Sequence, residues 1–391
     1  MDYPTVSEEH GVPERVVELL QSGPASRHAL CTRLGVSRPV LGRARAPLLL
    51  DGTVLARSAG ADVPRRRGRP AEVLSLAGDV AYAIGLDVSR SRASGVVLDR
   101  LGEVMARSVI PVTQVADPLR PLARLCQELD GEVRRRGLRT AYLAQIGVGL
   151  PVPVGHETWR RRHEEGSLVN QIHRLLSGHW SAPVLVDSSV RVAALGEARW
   201  GAGRHAPSQL YVRVSTGVGG CVAVSNTLTD GDTGYAGELG HVRVPGHDAP
   251  CQCGKRGCLE TVASVPAVCA ASGATDLPRL VGALEDPDHP GHGRALRAVE
   301  EAAGATGQVC ATIVLALSPS MVVLGGELGI LPAFTDAVRR HLEAELVPGL
   351  GWRVDVVPAA LQDEACARGA AAAAASYFAS RKVAEHLQEP W

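Results

Sequence analysis

The amino-acid sequence predicts an α/β protein in two parts, a short, basic, helix-rich N-terminal part and a much longer part that alternates apolar strands with helices. Residues 27–69 carry ten arginines against two aspartates, a net charge of +8, whereas the 391-residue chain has a formal net charge of zero. From Ala81 onward, short apolar strands alternate with amphipathic helices. A chain of this length can form two or three domains with a large buried core.

The first helices of the basic part have the pattern of a helix-turn-helix. Apolar residues at helical spacing predict helices around Val16–Leu20 and Leu30–Leu34. Gly35-Val36-Ser37 suits the turn, because glycine tolerates a positive φ and serine can cap the next helix. Pro47 is expected to end the third helix early. A plain three-helix cap is the alternative interpretation.

The third predicted helix leaves Ser37, Arg38 and Arg43 on its outer face, where a recognition helix reads base edges. Two strands, 53–56 and 73–76, read as a wing. The wing tip holds four more arginines on a glycine-broken segment, which suits the minor groove and the phosphates beside it; these are Arg65, Arg66, Arg67 and Arg69. A solvated linker is the alternative. Residues 1–78 are therefore predicted to be a winged helix-turn-helix DNA-binding domain.

The remaining residues, 79–391, read as two strand-rich halves. In the first, three apolar strands suggest a meander that precedes an amphipathic helix at 115–136 and a buried strand at 144–150. The second half begins with strands at 210–214 and 221–224. Its predicted later elements are helices 303–317 and 333–346, with a strand at 321–324 between them.

Three cysteines and a histidine form the most specific pattern in the chain. Cys251, Cys253 and Cys258 lie within eight residues, ten residues after His241. Three thiolates and one imidazole make a closed tetrahedral set for zinc with no position left for catalytic water, so the predicted Zn²⁺ is structural. The alternatives are unrelated buried cysteines or a disulfide.

This segment also resembles the signature of the ROK family, which groups sugar-responsive repressors and sugar kinases. The resemblance rests on Gly237–His241, on Cys251–Glu260 and on further motifs along the chain, namely Leu195–Glu197, Ser215–Gly220 and Val323–Gly326. It implies an actin-like, ribonuclease H-like fold of two lobes, about 79–190 and 191–391, with the last helix returning to the first lobe. Membership of the regulator branch is expected from the N-terminal part.

Two motifs depart from the kinase pattern of the family. The phosphate-cradling Asp-x-Gly-Gly-Thr loop is matched by Asp87–Arg92, which keeps the aspartate and lacks both glycines. Ser188 and Ser189 stand where the resemblance implies a sugar-binding asparagine and a catalytic aspartate. A serine does not accept a proton at neutral pH, and loss of a general base typically costs about 10²–10⁴ in rate. The sequence therefore predicts no catalytic residues and no enzyme activity.

The remaining pocket residues, Glu238, His241 and Glu260, resemble the groups that bind sugar hydroxyls in the family, with His241 also a zinc ligand. Alternatively, Glu238 and Glu260 only orient the zinc ligands. Asn170 is a further candidate remnant of the sugar site.

These observations predict a DNA-binding transcriptional regulator, a repressor, that senses a carbohydrate or sugar phosphate. It is expected to bind operator DNA as a homodimer or homotetramer, with no membrane partner. One alternative is an effector domain that binds no sugar and acts as a dimerisation scaffold or a sensor of a protein partner; another is an ATP-dependent sugar kinase. Nine cysteines without a signal peptide indicate a cytoplasmic location.

Overall fold

The basic N-terminal part folds around its own small core. The computed structural model describes residues 11–21, 25–50, 53–58, 72–76, 82–89, 92–99, 101–112, 117–138, 143–156, 158, 164–348 and 353–386. Its first elements are α1 (Val12–Gln21), β1 (Ala25–Ser26), α2 (Arg27–Leu34), α3 (Arg38–Leu50), β2 (Val54–Ser58) and β3 (Glu72–Leu76). The strands pair antiparallel in the order β1-β3-β2.

The turn between α2 and α3 has the predicted chemistry. Gly35 ends α2 with φ of 67°, a left-handed conformation that a side chain would strain. The helices bury Val16, Leu30 and Leu41 against Leu74 of β3. Arg45 donates to Glu72 over 2.8 Å and so ties α3 to the sheet.

Pro47 lies inside α3, so the prediction that it ends the helix early is wrong. A proline removes one backbone hydrogen bond, the one to the carbonyl four residues before it. The helix continues to Leu50 because Leu48 and Leu49 pack against the core below.

The first lobe is built on a sheet in the order β6-β5-β4-β7-β8. The predicted meander forms its antiparallel side, and β7 and β8 extend it in parallel. Helices α4 and α5 supply apolar faces to its core. The bounds are β4 (Tyr82–Val88), β5 (Arg92–Leu98), β6 (Val104–Pro111), α4 (Leu119–Arg135), β7 (Leu143–Leu150), α5 (Leu168–Trp180) and β8 (Val184–Ser188).

The second lobe repeats this topology with a sheet in the order β11-β10-β9-β12-β13, again antiparallel on one side and parallel on the other. The predicted α/β architecture of two like halves is therefore confirmed. Its elements are α6 (Ser189–Trp200), β9 (Ser208–Val214), β10 (Val218–Val224), β11 (Thr227–Leu228), α7 (Glu260–Ala263), α8 (Val265–Ser272), α9 (Leu277–Glu285), α10 (His292–Leu317), β12 (Met321–Gly325), α11 (Gly326–Gly329), α12 (Pro332–Glu345), β13 (Asp355–Pro358) and α13 (Ala365–His386).

Helix α10 begins at His292, eleven residues before its predicted start. The added turns are amphipathic and bury small side chains such as Ala295, Ala298 and Val299. Alanine carries little hydrophobic signal, so the sequence pattern did not reveal these turns.

The last helix, α13, returns to the first lobe and lies on β4 and β7 between the two sheets. The approach is close because the strands present glycine to the helix. A Cβ on Gly85 would lie 1.7 Å from the carbonyl oxygen of Ala367, and one on Gly147 would lie 1.8 Å from that of Ala370. The cleft between the lobes is therefore floored by α13 and α6. No described helix is both long and apolar enough to cross a lipid bilayer.

Candidate functional site

The structure brings the four predicted zinc ligands together. His241 ends a short 3-10 turn at Leu239–His241, and the cysteines lie on the loop that follows. The Cys251 N–H donates to the carbonyl of Lys255 over 2.8 Å, which folds the loop back on itself. Gly254 and Gly257 have φ of 87° and 71°, so the tight turns depend on glycine.

The ligand atoms have the spacing of a tetrahedral site. The Sγ atoms of Cys253 and Cys258 are 3.7 Å apart, and Cys251 Sγ is 3.7 Å from His241 Nδ1. All four ligand atoms lie within 4.8 Å of one another. Zinc–sulfur bonds of about 2.3 Å space the sulfurs of a tetrahedron by about 3.8 Å. The residues therefore fit Zn²⁺, and the 3.7 Å separation is too long for a disulfide.

His241 connects the cysteine cluster to the pocket. Its Nδ1 faces Cys251, and its Nε2 lies 4.0 Å from Glu238 Oε2. Lys255 donates to the His241 carbonyl over 2.8 Å and fixes the turn. Burial raises the pKa of the Glu238 carboxyl, and the neighbouring Glu260 adds to that effect while His241 opposes it. Glu238 and His241 thus lie side by side.

Glu260 is held by protein partners on both carboxylate oxygens. Its Oε2 accepts from the Val218 N–H over 3.1 Å, and its Oε1 accepts from Gln252 Nε2 over 3.0 Å. Gln252 belongs to the cysteine loop and Val218 to the glycine-rich turn. Glu260 therefore joins these two loops.

The positions of the family's catalytic pair lie where β8 meets α6. Ser188 caps α6 and Ser189 is its first residue, 4% exposed. Arg213, on β9 of the second lobe, donates to Ser189 Oγ over 3.3 Å. Asp187 lies beside them; burial raises its pKa, which Arg191 lowers in part. Asn170 starts the first turn of α5, where its N–H donates to Ser167 Oγ.

Asp87 ends β4 at the base of the cleft and is 1% exposed. Burial raises the pKa of its carboxyl, against the opposing charges of Arg213 and Arg92. Ser89 closes the following turn, with its N–H and Oγ both donating to the Arg92 carbonyl. Arg90 lies outside the described residues.

The predicted DNA-binding side chains fall into two groups. Ser37, Arg38 and Arg43 are exposed at the start and on the outer face of α3. The four arginines of the wing tip lie outside the described residues; they are Arg65, Arg66, Arg67 and Arg69.

Sequence reasoning missed three side chains that organise this site. Arg191 binds Asp187 over 2.9 Å and Asp230 over 2.6 Å. Arg213 and Gln252 are the others. A signal existed for Arg213, because it is the single charged residue of strand β9.

The chain is similar to sugar kinases and to a regulator. Residues 83–376 match the sequence model of the ROK family. A glucokinase of Halalkalibacterium halodurans is 30% identical over 68% of this chain and 87% of its own. An N-acetylmannosamine kinase of Yersinia pseudotuberculosis is 26% identical over 74% of this chain and 96% of its own.

Solved structures show the same fold. The ROK hexokinase of Thermus thermophilus is 30% identical, with a TM-score of 0.63 over 76% of this chain and 99% of its own. A ROK family transcriptional regulator, a homologue of the E. coli MLC protein, is 20% identical, with a TM-score of 0.74 over 92% of this chain and 94% of its own.

The kinase relatives correct one prediction. From Ser188 and Ser189 we predicted that the chain is not an enzyme. The glucokinase and the N-acetylmannosamine kinase each span two thirds or more of the chain, the 30% identical solved structure is a hexokinase, and this similarity points to an enzyme. The serines at positions 188 and 189 do not by themselves support the conclusion that the chain is not an enzyme. With its family signature and a match over residues 83–376, this chain belongs to the ROK family.

Proposed function

We propose that this protein is a DNA-binding transcriptional regulator whose two-lobed domain senses a carbohydrate. The observation that carries the proposal is the separate N-terminal unit of residues 12–76, in which α3 leaves Arg38 and Arg43 exposed above an independent core. The similarity to a solved regulator supports it. That similarity covers 92% of the chain, which is more than the two-lobed domain of residues 79–391 makes up by itself. A cytoplasmic location, with operator DNA within reach, is part of the proposal.

The proposed DNA interface uses α3 in the major groove. Ser37, Arg38 and Arg43 would contact base edges and phosphates there, and the wing-tip arginines would reach the minor groove or phosphates. Binding as a homodimer or homotetramer follows from the same logic, because paired half-sites multiply specificity. Repression is the proposed sign of regulation.

Replacing Arg43 with alanine tests this interface. We expect specific affinity to fall by about 1–3 kcal/mol, the usual contribution of an arginine that reads a guanine. The measurement is fluorescence anisotropy of the full-length protein on a duplex selected from random oligonucleotides, at fixed salt.

The matched control is Arg135→Ala, which removes the same charge from an exposed position of α4. An Arg43→Ala variant that binds the selected duplex as tightly as the control would contradict the recognition-helix assignment. Failure of the wild-type protein to select any duplex would contradict the regulator proposal itself.

We also propose that His241, Cys251, Cys253 and Cys258 hold a structural Zn²⁺. Bound there, zinc would supply no reactive chemistry, because four protein ligands complete its coordination. The chain's own groups would do the rest: His241 Nε2 stays directed at Glu238, and Gln252 keeps Glu260 against the glycine-rich turn.

Glu238, His241 and Glu260 are the proposed carbohydrate contacts. A sugar present at about 100 times its Kd should stabilise the protein by roughly 2.7 kcal/mol, a thermal shift of a few degrees. We expect one hexose, N-acetyl sugar, pentose or sugar phosphate to produce a selective shift that Glu238→Ala abolishes. The exposed Glu285→Ala on α9 should keep the shift. A flat panel would instead support a dimerisation scaffold or a protein-partner sensor.

Sugar phosphorylation is the second candidate function, favoured by the kinase relatives. The same sugar panel with Mg²⁺-ATP separates the two candidates by ADP release. Turnover that depends on Asp187, the carboxylate beside Ser188 and Ser189, would establish a kinase. A selective sugar shift without ADP release would support sensing.

A further inference from the structure

Arg191 lies between the lobes and forms ion pairs with one carboxylate of each lobe. It is part of α6, where its side chain is only 10% exposed. Its Nε donates to Asp187 over 2.9 Å, at the end of the first-lobe strand β8. Its Nη2 donates to Asp230 over 2.6 Å, in the segment that follows β11 of the second lobe.

The same second-lobe segment touches the first lobe at a second place. The His156 N–H donates to the Thr233 carbonyl over 2.8 Å, and His156 Nδ1 lies 2.9 Å from the carbonyl oxygen of Asp232. Thr158 Oγ1 and the Tyr235 hydroxyl are 3.1 Å apart. Residues 229–237 are therefore fixed to the first lobe by side chain and by backbone.

Tyr235 also lies directly against Gly155. A Cβ on Gly155 would stand 2.3 Å from the tyrosine ring, so only glycine permits this approach. Asp230 and Tyr235 are close in sequence to Glu238 and His241, which form the candidate sugar site. A movement of segment 229–237 therefore moves one wall of that site.

The ion pairs that Arg191 forms with Asp187 and Asp230 are partly buried. Arg191 is nearly buried and Asp230 is half exposed, so loss of the Asp230 carboxylate would leave the arginine charge less compensated, and the pair favours the conformation that forms it. Among the described residues, Arg191 Nη1 has no hydrogen-bond partner. An unsatisfied buried donor costs free energy, and this cost works against the arrangement of the lobes that buries it. The contacts therefore set a balance between closed and open lobes.

We propose that these contacts form an interlobe latch, in which Arg191, Asp187 and Asp230, together with Gly155, His156, Thr158 and Tyr235, hold the cleft closed without any ligand. A molecule that enters the cleft has to compete with the latch. The latch therefore sets how far a ligand shifts the lobe equilibrium, because a ligand acts only through its differential affinity for the two states. The inference holds whether the cleft serves regulation or catalysis.

Hydrogen exchange of the full-length protein tests the latch, with Asp230→Asn as the first variant. We expect exchange of amides 229–237, 154–156 and 158 to rise about tenfold, since a hydrogen bond to a charged group is worth roughly that factor. Exchange in α3 and in α10 should stay unchanged. The control Glu300→Gln weakens an exposed pair with Arg340 and should leave both segments as in the wild type.

A second variant guards against general destabilisation. Tyr235→Phe removes only the hydroxyl that meets Thr158, and it should raise exchange in residues 229–237 with an unchanged melting temperature. The latch would be overturned if amides 229–237 exchanged within twofold of the wild-type rate in both Asp230→Asn and Tyr235→Phe. A rise spread evenly over the whole chain in both variants would overturn it too, because it would show loss of stability in place of local opening.

Discussion

A Cys253→Ser variant is expected to lose its bound zinc and to lower the free energy of unfolding of the second lobe by about 4 kcal/mol or more. Structural zinc sites contribute directly to folding, and effects of this size are diagnostic of such losses. Cys253 is the exposed member of the cluster, so the substitution itself creates no cavity in the core. The measurements are zinc content by mass spectrometry and urea unfolding followed by circular dichroism.

The matched control for this variant is Cys31→Ser, a half-buried cysteine of α2 that lies outside the zinc site. It should retain one zinc per chain. Stoichiometric zinc in Cys253→Ser would refute the ligand set of His241, Cys251, Cys253 and Cys258. Zinc lost equally from both variants would show that the cluster does not hold it specifically.

The zinc cluster illustrates which parts of a site a sequence can predict. Its three cysteines lie within eight residues, so local spacing alone limits where the thiols can go, and only His241 must be placed by the fold. Glu238 and Glu260 were identified by the family motif. The role of Glu260 depends on its contacts to Val218 and Gln252, which the spacing of residues in the sequence does not predict.

The contacts across the cleft were not predictable in the same way. Arg191 and Asp230 are 39 residues apart, and their meeting depends on how two sheets face each other. Most strands of the two lobes were predicted, because each is a short apolar run between turns, a signal that depends only on neighbours, but β8, β11 and β13 were missed. The start of α10 and the continuation of α3 past Pro47 both depend on what packs against the helix, so local propensity misplaced them.

The second large effect that we expect is a loss of stability on replacing Glu197. Its sequence motif, Leu195-Gly196-Glu197, was a family signature without a physical role. In the structure its carboxylate is fully buried. It accepts from the N–H groups of Ala202, Ala360 and Leu361 over 2.8, 3.1 and 2.7 Å. One side chain thus ties the end of α6 to the loop that leads into α13.

A Glu197→Ala variant is therefore expected to lower the free energy of unfolding by about 3 kcal/mol or more, because three N–H groups lose a fully buried charged acceptor at once. Glu197→Gln should lose less, since the amide keeps one acceptor oxygen and nearly the same shape. The measurements are urea unfolding and hydrogen exchange at residues 202, 360 and 361.

The control is Glu132→Ala, which removes from α4 a partly exposed carboxylate paired with the exposed Arg135, and it should cost at most about 1 kcal/mol. Equal stabilities for Glu197→Ala and Glu132→Ala would mean that water replaces the carboxylate without loss. Because α13 and α6 floor the cleft between the lobes, loosening them should also raise exchange at Arg191. That coupled rise would show that Glu197 positions the cleft as well as stabilising the fold.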